Sequence, residues 1–286
     1  MNEATNPHAA WRLKVARQVA SRLAGVRDVR AIAVAGSVAR GLADAYSDVE
    51  LLVLWDQLPD DAVRHAIAAD LGAEFLYPYD GPAHEDNLRR GDLQVDLQHS
   101  TVAHEEATIV RVLEDYSLDE ADVHFMDTLR TCVPLHGGEI LAPWKERARQ
   151  YPDPLARRMI ARHIDGFWGG HLTVHAARDN PLVYYAALCA LQERLFWVLL
   201  ALNGMYYPTR KWLFHYLARM AIAPTRAAER LRRSFTVPPA EAAAEMERLM
   251  SETLDLVATR YPEMEVAPAR QRLAARRAPL EPPAVR

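Results

Sequence analysis

The sequence predicts an α/β (α+β) first half followed by an all-α second half. Three observations carry this. Residues 29–35 and 48–55 are short, nearly continuous apolar runs, as buried strands are. Leu93-Gln94-Val95-Asp96-Leu97-Gln98 alternates apolar and polar residues, the pattern of a half-buried strand. Beyond Tyr151-Pro152-Asp153-Pro154, a proline-marked boundary, almost every segment carries a helical period.

In chain order, residues 9–25 read as an amphipathic helix with Trp11, Val15, Val19 and Leu23 at four-residue steps and Gly25 as its stop. The strand 29–35 ends at Gly36, and Ser37 to Gly41 form a small-residue turn that opens a helix. After the strand 48–55, residues 59–71 read as a helix with acids in its first turn, where they suit the helix dipole. Helices are predicted over 103–116 and 118–130, and then over 155–178, 181–203, 209–220, 225–234 and 238–260. Leu182 to Leu202 is apolar nearly all round and reads as the buried centre of a bundle. The organisation expected is a catalytic domain over 1–150, a helical domain over 151–262, and a flexible Ala/Arg/Pro-rich tail over 263–286.

At 286 residues the chain is long enough to bury a core without staples. A net charge of -4 excludes a generally basic nucleic-acid coat protein. Two cysteines, Cys132 and Cys189, are too few for a disulfide framework or a cysteine-based zinc site. The first twenty residues show no apolar core of a secretory signal, and the most apolar stretch, 195–202, is shorter than the ~20 residues of a membrane span. A reduced, cytoplasmic protein is expected.

Chemistry concentrates in Gly36-Ser37-Val38-Ala39-Arg40-Gly41 and Ser47-Asp48-Val49-Glu50. Residues two apart in a strand share a face, so Asp48 and Glu50 project side by side. Two such carboxylates call for a cation between them, and Mg²⁺ suits one or two carboxylates completed by waters and phosphate oxygens. Gly36 lets a phosphate approach the backbone, Ser37 offers a hydroxyl, and Arg40 adds positive charge. Asp96, facing opposite to Val95 and Leu97, is the third acid, with Asp92 as its substitute. Three carboxylates can hold two metals roughly 3.5–4 Å apart, the clamp of an in-line phosphoryl transfer.

Gly36-Ser37, Asp48-Val49-Glu50 and Val95-Asp96-Leu97 together resemble the polymerase-β-like nucleotidyltransferase superfamily. The Glu in second place, and Val133-Pro134-Leu135-His136-Gly137-Gly138, look most like the kanamycin-type antibiotic nucleotidyltransferases. An uncharacterised bacterial group sharing the stretch Tyr206 to Trp212 is similar too. The resemblance implies a nucleotidyltransferase fold with a mixed sheet, then a helical bundle. It implies an enzyme of the EC 2.7.7 type that moves NMP from an NTP, ATP by expectation, to a hydroxyl of an aminoglycoside-like acceptor with release of pyrophosphate. Mg²⁺ on Asp48, Glu50 and Asp96, a role in antibiotic resistance and a homodimer follow from the same resemblance.

It also implies a general base early in the helical half. Asp165 is the nearest carboxylate, and His171 is a workable alternative near neutral pH. Lys211, with Arg210, stands in a helix's first turn against the dipole preference, which points to an anionic ligand; Thr209 is the expected cap. His171 and His175 share a helix face without the Glu of a metalloprotease motif. The arginines of 226–233 and 270–277 read as a solvated face rather than a nucleic-acid surface. Two other readings stay open: a catalytically silent nucleotide- or partner-binding module, and a transferase acting on tRNA or protein.

Overall fold

The computed structural model describes residues 6–77, 84–277 and 280. The chain divides into two compact units, Met1–Gln150 and Tyr151–Arg286.

The first unit is built on a six-stranded mixed sheet. Its strands are β1 (Val29–Val34), β2 (Val49–Trp55), β3 (Glu74–Phe75), β4 (Glu85–Arg90), β5 (Leu93–Thr101) and β6 (Val133–His136). The order is β3-β4-β5-β2-β1-β6. Only the β2–β5 pair is parallel among the described strands. One face, with Ile32, Val34, Leu51, Val53, Trp55, Val95 and Leu97, packs on α1 (Pro7–Leu23) and α3 (Asp61–Asp70).

Helix α1 starts at Asn6, whose side chain accepts from His8 N and Ala9 N. Its buried stripe holds Leu13, Ala16, Val19, Ala20 and Leu23. Trp11, expected on that stripe, is 51% exposed, and Arg12 is buried instead. The reason is a polar task. Arg12 donates to Ser47 O (2.7 Å) and Ala45 O (3.3 Å), while Asn6 Nδ2 donates to Gly41 O and Ala43 O, both at 2.9 Å. These bonds pin the loop between the Gly-Ser turn and Asp48.

The remaining helices of this unit are α2 (Gly36–Ala39), α4 (Val102–Leu113), α5 (Glu120–Thr131) and α6 (Gly138–Ala148). Four elements went unread in the sequence: β3, β4, β6 and α6. Strand β4 is Glu-Asp-Asn-Leu-Arg-Arg, with no apolar alternation to find. Its buried Asp86 is satisfied by Arg64 and His99, and the His99 ring accepts from Trp55 Nε1 at 3.1 Å. Burial alone would raise the Asp86 carboxyl. The hydrogen bonds from His99 and Arg64 outweigh it and hold the carboxyl below its usual range.

The second unit is helical throughout its described residues: α7 (Asp153–Ile164), α8 (His171–Ala177), α9 (Pro181–Leu202), α10 (Leu213–Leu217), α11 (Ala227–Arg233), α12 (Pro239–Arg260) and α13 (Ala267–Ala274). The single helix expected over 155–178 is two. Glycines break it: a Cβ on Gly169 would stand 1.8 Å from Leu273 O, so the backbones meet there. Helix α9 packs on α7, α8 and α12. Its last turns, Leu195 to Leu202, are buried, but Leu182 at its start is 81% exposed, so only part of the expected core helix is core. By length and mean hydropathy α9 alone among the described helices is long and apolar enough to cross a membrane; 61% of that stretch is buried within the protein. The stretch expected to be a flexible tail holds α13, with Ala269 and Leu273 buried; 278–279 and 281–286 lie outside the described residues.

Candidate functional site

The site grows from the end of β1. Ala35 N donates to Glu50 O at 2.9 Å, which ties the end of β1 to the start of β2. Gly36 then turns the chain at φ +60°, and α2 carries Ser37, itself buried. The glycine is required for space as well as conformation. A Cβ there would lie 1.3 Å from Glu50 Oε2. The Glu50 carboxylate therefore occupies the place where any other residue would put its side chain, and the turn and the acid are fitted together.

Across the sheet, Glu50 stands directly opposite Asp96, and Asp96 opposite Asn87. Register partners share a face at a strand spacing of about 4.8 Å. Asp96 is 6% exposed and accepts from Asn87 Nδ2 (2.9 Å) and Gln94 Nε2 (3.0 and 3.1 Å). These amides orient a carboxylate that is screened from solvent. Asn87 and Gln94 gave no sequence signal, because an amide near an acid becomes meaningful only once strand register is known. Asp92 falls in the β4–β5 turn and is exposed, so register selects Asp96.

Asp48 sits just ahead of β2, half-buried, and makes no hydrogen bond or ion pair with another described residue. Its loop is held by Arg12 and Asn6 and by an Asp44–Ser47 turn, in which Tyr46 N donates to Asp44 Oδ1 at 2.9 Å. Among the described residues no three His, Cys, Asp or Glu side chains form a ready metal cage. The donor set of Asp48, Glu50 and Asp96 nonetheless fits Mg²⁺, a hard cation that takes few carboxylates and completes its shell with water and phosphate oxygens.

Arg40, expected to face phosphate, turns inward. Its Nη1 donates to Gly36 O at 2.9 Å and its Nη2 bonds Asp127 Oδ2 on α5. The two side chains are 6% and 5% exposed. Burial pushes the Asp127 carboxyl up, and the Arg40 guanidinium opposes this. Asp127 lies on the buried face of α5 with Val123, Met126 and Leu129, and that misplaced charge was the clue available in the sequence.

Along the same sheet face a cavity of about 490 Å³ opens, with Leu52, Glu85, Gln98, Ser100, His104 and Glu105 in its lining. The Leu52–Gln98 row follows the Glu50–Asp96 row by two residues, about 7 Å along the strands. Among the described residues no Lys or Arg lines it. Burial pushes the Glu105 carboxyl up, against a hydrogen bond from Ser100.

The other expected site residues belong to the second unit. Asp165 follows α7, exposed, and pairs with Arg272 at 2.9 Å. His171 starts α8 with its ring stacked on Trp168 at 5.3 Å. Lys211 lies in the 3-10 turn Arg210–Trp212, its ammonium 5.7 Å from the Trp212 ring centre. Arg210 bonds Glu193 at 2.7 Å, which accounts for one of the two cations in that turn. Thr209 is not the expected cap: its φ is +76° and its side chain caps nothing. Tyr206 and Tyr207 are core, Tyr207 stacked on Trp197 at 4.0 Å.

Residues 125–213 match a family described as "Domain of unknown function (DUF4037)". A protein of Methanocaldococcus jannaschii named "Putative protein adenylyltransferase" is 45% identical over 53 residues, 18% of this chain and 36% of that protein. The match thus spans about a third of the relative's length. A solved nucleotidyltransferase-like protein from Exiguobacterium sibiricum aligns over 87% of this chain and 78% of its own, at 14% identity and a TM-score of 0.37.

Proposed function

We propose that the chain is a Mg²⁺-dependent nucleotidyltransferase that moves AMP from ATP to a hydroxyl of a small acceptor and releases pyrophosphate. The observation that carries this is the register of Glu50 opposite Asp96, beside a Gly-Ser turn shaped around the Glu50 carboxylate. Asp48, Glu50 and Asp96 would hold the metal, which when bound would supply positive charge to the phosphates. The Gly36-Ser37 turn receives the triphosphate through backbone N–H groups and the Ser37 hydroxyl. Asn87 and Gln94 keep Asp96 aimed, and Arg40 with Asp127 keeps the turn in place.

The acceptor oxygen bonds to the α-phosphorus, the bond to the bridging oxygen breaks, and the hydroxyl proton passes to a base. The resemblance places that base early in the helical half, where Asp165 is the nearest carboxylate and His171 the alternative near neutral pH, and Lys211 is given to phosphate on its sequence position. An aminoglycoside-like acceptor suits the cavity along the acid face, where Glu85 and Glu105 stand with no cation among the lining residues.

Four of the arginines in 226–233 and 270–277 are neutralised by acids, which favours a small acceptor over tRNA. Arg226, Arg230, Arg233 and Arg270 pair with Glu229, Glu245 and Glu252, Glu241 and Asp255. A second reading, a protein hydroxyl as acceptor, is favoured by the name of the Methanocaldococcus relative.

The test is calorimetric titration of ATP, CTP, GTP and UTP with Mg²⁺ into wild type and Asp48→Ala. Label from α-phosphate-labelled ATP is then followed into hydroxylated amines, tRNA and protein. Mg²⁺-dependent binding that Asp48→Ala abolishes, with label on a small acceptor, supports the proposal; label on protein selects the second reading. A folded protein that binds no NTP leaves the silent-module reading.

A further inference from the structure

A second cavity, of about 270 Å³, lies wholly within the helical unit, between the 168–171 loop, α8 and the 272–277 stretch. Arg178, Arg272, Arg276 and Arg277 all line it, and no acid does among the described residues. Arg272 pairs with Asp165 at 2.9 Å and Arg276 with Glu247 at 2.7 Å. Arg178 and Arg277 make no ion pair with any described residue. Elsewhere in the unit Arg226, Arg230, Arg233 and Arg270 are each matched by an acid, and Arg232 and Arg260 lie over the Phe214 and Tyr261 rings. Arg178 and Arg277 thus bring positive charge to the void beyond what Asp165 and Glu247 offset, and planar guanidinium forks suit the oxygens of phosphate.

The walls are built rather than incidental. Glu247 joins both sides: its Oε1 accepts from Gly170 N at 3.2 Å and its Oε2 bonds Arg276. Gly169 packs against the backbone of Leu273 so closely that a Cβ would collide with it. Trp168 supplies a flat apolar surface at the rim, 45% exposed, with His171 stacked on it. The cavity is at the small end of ligand sites, near the size for one phosphate with a planar ring system.

We propose that this cavity is a binding site for a nucleoside monophosphate, with the phosphate among the arginines and the base against Trp168. The site does not use the first unit's acids Asp48, Glu50 and Asp96, although His171 lines it and Asp165 pairs with its Arg272. Arg178 and Arg277 are its discriminating contacts, since neither supports the fold through an ion pair.

The experiment titrates AMP, inorganic phosphate and adenosine into the full chain in EDTA, by calorimetry and tryptophan fluorescence. The proteins are wild type, Asp48→Ala, Trp168→Leu and the Arg178→Ala/Arg277→Ala double variant, with urea midpoints as a folding control. AMP is expected to bind wild type and Asp48→Ala alike. The double variant weakens AMP by at least about tenfold, as loss of two charge-assisted contacts implies. Trp168→Leu weakens AMP but not phosphate, and adenosine binds poorly. Absence of AMP binding to wild type, or AMP binding unchanged in the folded double variant, overturns the proposal. Loss of AMP binding in Asp48→Ala also overturns it, by placing the nucleotide at the first unit's acids. Failure of the NTP titrations described above leaves this site standing.

Discussion

Replacing Gly36 by alanine tests how the candidate site is held together. The new Cβ would stand 1.3 Å from Glu50 Oε2 and 2.5 Å from its Cδ. Non-bonded carbon and oxygen atoms settle at about 3.5 Å, so the carboxylate must swing away by ~2 Å. The swing is cheap for the fold, because the obstructing atoms are the end of a flexible side chain; an off-rotamer Glu costs about 1 kcal/mol. An L-residue at φ +60° adds about 1–2 kcal/mol. The sum is a modest stability loss of about 2–3 kcal/mol. The chemistry suffers more, because a misplacement of ~1 Å can cost about a hundredfold in rate. Gly137→Ala is the control. Its φ is +66°, but its Cβ would meet Arg30 O at 2.2 Å and Ala31 Cβ at 2.6 Å, fixed parts of β1. That variant should lose about 3–5 kcal/mol, from overpacking added to left-handed strain. Urea unfolding reads the stabilities; Mg²⁺-dependent ATP binding and pyrophosphate release read the site. Wild-type pyrophosphate release from Gly36→Ala would refute the reasoning about Glu50, and a stability loss as large as that of Gly137→Ala would refute the reasoning about the turn.

Three further predictions follow from other parts of the molecule. Arg40→Met should cost about 3–5 kcal/mol by stranding the buried Asp127 carboxylate, whereas Arg40→Met/Asp127→Leu should recover most of that in urea unfolding without recovering nucleotide binding. Half-buried with its ring stacked on Trp197, and beside the charges of Arg194 and Arg162, His163 has its pKa lowered to about 4. The unfolded state then binds the extra proton first, so stability is full above pH 6.5 and falls as pH drops from 6.5 toward 4. The loss is at most about 3 kcal/mol, and about half that after screening at this partly exposed ring; His163→Phe should flatten urea midpoints measured across that window. Trp55→Phe removes the donor to His99 Nδ1 inside a buried chain that continues to Asp86 and Arg64, and should cost about 1–3 kcal/mol; a midpoint unchanged from wild type would show that the chain does not bear on stability.

The strands β1, β2 and β5 were legible because burial on both faces or on one leaves a run or an alternation in the residues themselves. Strand β4 was not, because its inward Asp86 is made tolerable by an arginine and a histidine from other elements. Trp11 and Arg12 show the same limit. Hydrophobicity ranks Trp11 as the inward residue, yet Arg12 is buried because loop carbonyls at 45 and 47 take its hydrogen bonds. The glycine break after α7 was hidden in a helical pattern, since the contact that demands it comes from Leu273, far along the chain.

By itself the sequence determined the α/β-then-α order, the strand–Gly-Ser–strand motif, and the choice of Asp48, Glu50 and Asp96 as the acids to examine. Those features are local, written in periodicity and in residue types that fit one backbone conformation. Only the tertiary structure decided that Asp96 rather than Asp92 stands opposite Glu50, that Arg40 turns inward to Asp127, and that Asn87 and Gln94 hold the third acid. Strand register and the burial of a charge depend on partners distant in sequence, and a polar residue is placed by whichever distant group satisfies it.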